Sequence, residues 1–137
     1  HRYWEMGDED PAFRWNNYLS RFHWRHVDLM DVLSGYQGRG RVGLDPMAQL
    51  LGLPGKLGMT GEDVWEGHLA GRSAEIRHYC ETDVINTYLV YLRFELMRGR
   101  LTHEEHAREC GLVRDWLGAA GAPHLARFLA AWPVDAE

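Results

Sequence analysis

The sequence predicts a mostly α-helical chain with one short strand near residues 24–28. Apolar residues recur at three- and four-residue spacing through most of the chain. Helix-capping residues and glycines stand at the ends of those segments. Only residues 24–27 have a β-like pattern. A length of 137 residues fits a single domain, or part of one, over residues 1–137.

The cap positions place the first three helices. Asp28 is the predicted N-cap of a short helix, and we interpret it as a structural cap rather than a metal ligand. The second helix is predicted to begin at Pro46, with Asp45 as its cap. Thr60 resembles the first residue of a capping box for a helix that starts near Gly61.

The longest helix is predicted over residues 74–98, with Ser73 as its cap. Thr102 and Glu105 form a predicted capping box for the next helix, and Pro123 opens the last one. One stripe of the long helix is expected to be packed because its residues recur at helical intervals. This stripe consists of Ile76, Cys80, Val84, Thr87, Tyr91, Phe94 and Met97.

Composition limits the class of function. The formal charge of −5 argues against a protein that binds nucleic acid by bulk charge, since such domains are usually basic. It does not exclude an enzyme whose carboxylates hold metal ions. Two cysteines without zinc-type spacing favour a reducing cytoplasm. No apolar run approaches the roughly 18 residues of a membrane span.

The stretch HYCETDV, residues 78–84, places Tyr79 and Asp83 one helical turn apart on one face. A half-buried tyrosine beside a solvated carboxylate is the more common arrangement, because Tyr-x-x-x-Asp is frequent by chance. A pair of catalytic side chains is the alternative. Spacing alone leaves both interpretations open.

A resemblance to a known family covers most of the chain, from about Phe13 to Trp132. It lies in RHVDLMDVLSGY, LDPMAQLLGLPGKLGMTGEDVWEGHLAG and YCETDVINTYLVYLRFELMRG. These segments are similar to the C-terminal half of bacterial predicted 3′-5′ exonucleases related to the proofreading domain of family B DNA polymerases. That family falls in the DEDDy subgroup, whose members have an α/β RNase H-like fold. The resemblance implies that this chain is the mostly helical C-terminal part of that fold.

The family's third exonuclease motif falls on Tyr79 and Asp83. The resemblance implies removal of nucleotides from the 3′ end of DNA or RNA by two Mg²⁺ or Mn²⁺ ions. Asp83 is then expected to be a metal ligand, since these ions prefer carboxylate oxygens. Tyr79 is expected to orient the attacking water without ionising. The implied partner is a nucleic acid with a free 3′ end, in the cytoplasm and not at a membrane.

The chain departs from the family pattern in one respect. The superfamily also requires an Asp-x-Glu on its first strand and an Asn-x-x-x-Phe-Asp motif, and neither occurs N-terminal to Tyr79. We therefore expect a C-terminal part of a longer protein that is inactive alone. The alternative is a non-catalytic helical interaction module that retains an exonuclease-like helix. Finding both motifs upstream of His1 in the gene would favour the enzyme.

Other side chains are weaker candidates. Lys56, in the loop LPGKLGM, is a candidate contact for a substrate phosphate from a mobile loop, and a solvated lysine is the alternative. Cys80 is expected to be a small buried hydrophobe. Three tryptophans are expected to fill helix interfaces. They are Trp65, Trp116 and Trp132.

Overall fold

The computed structural model describes residues 26–133, and over that range it contains six α-helices and no strand. The helices are α1 (Leu29–Leu33), α2 (Leu44–Leu50), α3 (Asp63–Leu69), α4 (Ser73–Met97), α5 (His103–Ala119) and α6 (Pro123–Ala131). The prediction of a strand near residues 24–28 is wrong over residues 26–28, and residues 24 and 25 lie outside the described range. None of the helices described is both long and apolar enough to cross a bilayer.

The chain divides into two compact units, His1–Arg41 and Val42–Glu137. In the first unit, Asp28 caps α1, because its carboxylate accepts a hydrogen bond from the Asp31 amide at 3.2 Å. The prediction of a structural cap is confirmed. Asp31 itself is buried, and its carboxylate pairs with the Arg41 guanidinium at 2.6 Å. This acid therefore has a structural partner.

The second unit is built around α4, which contacts α2, α3, α5 and α6. Ile85, Leu89 and Leu92 of α4 pack into the core of this unit. From α5, α6 and the residue that follows, the core receives Leu117, Leu125, Phe128 and Trp132. Burial of these side chains supplies most of the apolar stabilisation of the unit.

The predicted packed stripe of α4 is wrong. Val84 and Met97 are 67% and 71% exposed, and Cys80 is exposed as well. The buried face is the neighbouring one, which carries Ile85 and Leu89. Both stripes have helical spacing, so the choice between them is made by the helices that pack against α4.

The predicted helix starts are correct where the capping chemistry is local. Thr102 and Glu105 form the capping box of α5, and Pro123 is the first residue of α6. The predicted caps Asp45 and Ser73 are wrong. Ser73 lies inside α4, and Asp45 lies inside α2, where its carboxylate turns to a partner outside the helix.

The hydrogen-bond partner of Asp45 lies in the loop between α2 and α3. The Asp45 carboxylate accepts a hydrogen bond from the Lys56 amide at 2.7 Å, and the Asn86 side-chain amide donates to the Gly55 carbonyl at 2.8 Å. Gly55 has a positive φ of 64°, and a Cβ there would lie 2.5 Å from the Asp45 carboxylate. These two hydrogen bonds anchor the loop that carries Lys56 to α2 and α4.

Candidate functional site

Tyr79 and Asp83 lie one turn apart in the N-terminal half of α4, and both are half-buried. The Asp83 carboxylate lies close enough to the Tyr79 hydroxyl to raise the pKa of that phenol. Helix geometry alone aligns the two side chains, since residues at i and i+4 share one face. The structure therefore places the two predicted residues side by side on one face of α4.

The pair has a distinct electrostatic character. Burial, followed by the hydrogen bond to Asp83 and the charge of that carboxylate, raises the pKa of Tyr79 to about 12. The phenol is consequently neutral at physiological pH and remains a hydrogen-bond donor. It can orient an acceptor or a water molecule, and it is poorly suited to act as a general base.

The turn between these residues is tied to α6. His124 is buried, and its Nε2 lies 2.5 Å from a carboxylate oxygen of Glu81. The rings of His78 and His124 stack with their centroids 3.9 Å apart. Glu81 also pairs with Arg77 at 3.3 Å on the helix surface. The helical turn that carries the candidate pair is thus fixed from a second helix.

A small cavity of about 200 Å³ opens beside Tyr79. It is lined by the loop after Lys56 and by α4 and α6, including Met59, His78, Thr82 and Arg127. Its lining mixes apolar groups with the Arg127 guanidinium and the Glu75 carboxylate. A water shell next to the Tyr79 ring is compatible with this chemistry.

The residues described do not complete a site for two divalent ions. Residues 26–133 contain no group of three or more His, Cys, Asp or Glu side chains that could hold a metal ion. Asp83 offers one carboxylate, whereas Mg²⁺ and Mn²⁺ sites require several oxygen ligands fixed together. A dinuclear site would need carboxylates beyond those described.

Lys56 is the remaining predicted contact, and the residues that follow it line the cavity at Tyr79. Hydrogen bonds from the Thr60 amide and hydroxyl lower the pKa of Asp63, and the Lys56 ammonium makes a smaller contribution. The predicted capping box at Thr60 is wrong, because α3 begins at Asp63 and its N-cap, Glu62, makes no side-chain cap hydrogen bond. Within the described range, no hydrogen bond or ion pair joins Lys56 to Tyr79 or Asp83.

Sequence reasoning missed the interaction between Glu81 and His124. The two residues are 43 positions apart, and no local pattern indicates such a pairing. The expectation that Cys80 is buried is wrong, since it is exposed. Trp132 is buried as expected, whereas the prediction for Trp65 and Trp116 is wrong because they are 67% and 56% exposed.

The comparisons with known proteins bear on the same site. A family model described as a predicted 3′-5′ exonuclease related to the exonuclease domain of PolB matches residues 1–132. No curated protein and no solved structure matches the chain significantly. The matched range includes Tyr79 and Asp83 and all six helices.

Proposed function

We propose that this chain is part of a metal-dependent 3′-5′ exonuclease, because it belongs to the family of predicted 3′-5′ exonucleases related to the PolB exonuclease domain. The substrate class is nucleic acid with a free 3′ end, either DNA or RNA. The reaction is hydrolysis of the terminal phosphodiester bond. In this proposal the chain forms the helical C-terminal part of an RNase H-like fold.

The placement of Tyr79 and Asp83 side by side on α4 is the observation that supports this proposal most. Asp83 provides a half-buried carboxylate on a long helix that four other helices hold in place. Tyr79 provides a phenol whose raised pKa keeps it protonated. In the proposed site Asp83 is a ligand and Tyr79 is the donor that orients water, which is a positioning role.

Divalent Mg²⁺ or Mn²⁺ would supply electrostatic stabilisation of the reacting phosphate. Asp83 is the part of their ligand set that we assign to this chain. We expect the other carboxylates to come from the Asp-x-Glu and Asn-x-x-x-Phe-Asp motifs. Neither motif occurs N-terminal to Tyr79 in this sequence. The 137-residue chain alone is therefore expected to be inactive, because one carboxylate binds such ions weakly.

A second candidate is a helical interaction module, and the exposed side of α4 favours it. Val84 and Met97 are large apolar side chains that are mostly exposed. Such a surface is suited to packing against protein. The two candidates differ in whether the intact protein has nuclease activity.

The test uses the intact protein that carries both upstream motifs. Asp83→Asn removes a charged ligand and is expected to reduce turnover on a 3′-ended oligonucleotide on the order of 10³-fold, together with Mn²⁺ affinity. Tyr79→Phe keeps the ring and is expected to lower kcat roughly 10- to 100-fold while Mn²⁺ affinity stays near normal. Calorimetric Mn²⁺ titration and turnover are measured for both variants. Unchanged turnover in Asp83→Asn would refute the role assigned to Asp83. Absence of metal-dependent turnover in the unmodified intact protein would refute the proposed function.

A further inference from the structure

A second cleft lies between α4 and α5, away from Tyr79. Its volume is about 540 Å³, compared with about 200 Å³ for the cavity at Tyr79. We call it the basic cleft, after its ionisable lining: Arg93, His103, His106, Cys110 and Arg114. Of the residues that the structure describes, no Asp or Glu lines it. In a chain with 20 acidic and 15 basic residues, this is a local reversal of charge.

Among residues 26–133, no carboxylate forms an ion pair with either guanidinium group of the cleft. Arg114 stacks over the Trp132 ring at 3.9 Å and donates hydrogen bonds to the carbonyls of Trp132 and Pro133. These contacts fix its position but leave its charge in place. Arg93 is half-buried and forms no ion pair with any residue in the 26–133 range.

The pKa of His106, one of the two histidines that line the cleft, reflects both burial and the positive charge nearby. Burial first, and then the positive charges of Arg93 and His103, lower the pKa of His106. At Cys110 the positive charges of Arg93 and Arg114 act against the smaller effect of Glu109, so positive charge predominates around both side chains. An anion that entered the cleft would meet several donors and little repulsion.

We propose that the basic cleft binds the phosphate backbone of a single-stranded nucleic acid whose 3′ end reaches Asp83, an inference that rests on the proposed function. Arg93 and Asp83 are ten residues apart on α4, which places them about 15 Å apart along the axis of that helix. That distance corresponds to roughly four stacked nucleotides at ~3.4 Å each. The apolar walls formed by Leu51 and Leu96 suit sugars and bases, which are bound without sequence preference in such grooves.

The test is binding of a fluorescently labelled oligothymidylate to the 137-residue chain, measured by anisotropy with a chelator present to prevent hydrolysis. Arg93→Gln is expected to weaken binding on the order of 5-fold at low salt and to reduce the dependence of log affinity on log salt by about 0.7. Arg108→Gln is the matched control, because Arg108 is an exposed arginine of α5 that does not line the cleft. This control is expected to bind as the unmodified chain does. Circular dichroism checks that both variants are folded.

Ligands of different length distinguish binding of a nucleic-acid strand from binding of a single nucleotide. Thymidine monophosphate is expected to compete much more weakly than an oligonucleotide that spans the cleft and the Asp83 region. No binding by the unmodified chain, equal affinity of Arg93→Gln and the control, or equal competition by the mononucleotide would each overturn the proposal.

The outcomes also separate this proposal from the proposed function. If Asp83→Asn abolishes turnover of the intact protein while Arg93→Gln leaves strand binding unchanged, only the cleft assignment fails. If Arg93→Gln weakens strand binding while Asp83→Asn retains full turnover, only the assignment of the catalytic pair fails.

Discussion

His124 of α6 and Glu81 of α4 are joined by a contact of 2.5 Å between Nε2 and a carboxylate oxygen. Glu81 lies in the turn between Tyr79 and Asp83, so this contact reaches the candidate pair through the helix backbone. The His124 ring is buried, and the exposed fraction of the Glu81 side chain is 40%. The interaction therefore combines one desolvated partner with one that remains partly in water.

We expect Glu81 and His124 to be energetically coupled. A double-mutant cycle with Glu81→Gln and His124→Ala should give a coupling energy on the order of 1 kcal/mol in urea unfolding of the chain. Arg77→Ala is the control, because it removes the surface partner of the same carboxylate, and the exposed fraction of Arg77 is 71%. This control should cost about 0.5 kcal/mol or less. A coupling energy indistinguishable from zero would show that the contact does not hold the turn.

The raised pKa of Tyr79 predicts a specific dependence of stability on pH. The unperturbed value is 10.0 and the folded value is about 12, so the folded state holds this proton more tightly. The resulting stabilisation is fully present below pH 10 and is lost as the pH rises through about 12. The difference in unfolding free energy between the unmodified chain and Tyr79→Phe should therefore shrink across this window.

Spectrophotometric titration of the tyrosines gives a second measure of the same effect. In Asp83→Asn the charge of the carboxylate is gone but the burial of the ring remains. The pKa of Tyr79 should then fall from about 12 toward, but not fully to, its ordinary value. An unaltered titration in Asp83→Asn would show that the two side chains do not interact in solution.

Asn86 is predicted to hold the loop that carries Lys56. Asn86→Ala leaves the buried Gly55 carbonyl without its donor and should destabilise the chain by about 1–3 kcal/mol. Hydrogen exchange at the Lys56 amide should become faster, since the loop loses one of its two anchors. The control is Thr87→Ala, which changes an exposed neighbour on α4. Equal exchange at Lys56 in both variants would contradict the anchoring role.

Local chemistry explains which parts of this structure could be predicted. Thr102 and Pro123 begin α5 and α6 as the sequence indicates, because a cap satisfies amides only a few residues away. The placement of Tyr79 and Asp83 on one face of α4 is predictable for a similar reason, since their spacing of four residues is local. Asp45 failed as a cap because its carboxylate bonds the Lys56 amide, which approaches only in the folded unit.

Tertiary packing explains what could not be predicted. The core face of α4 is selected by side chains such as Leu117 and Phe128, which the spacing within α4 does not reveal. Trp116 is mostly exposed and Trp132 is buried, although the sequence predicts a helix interface for both. The pairing of Glu81 with His124 likewise depends on how α6 docks against α4.

The two cysteines differ in their surroundings, and this gives the chain a natural point for chemical labelling. Cys80 is exposed on α4 beside Tyr79, whereas Cys110 is half-buried and its pKa is raised, chiefly by burial. Because the thiolate is the reactive form, alkylating reagents near neutral pH should modify Cys80 well before Cys110. A fluorophore or spin label introduced in this way would lie next to the candidate pair without any engineered residue.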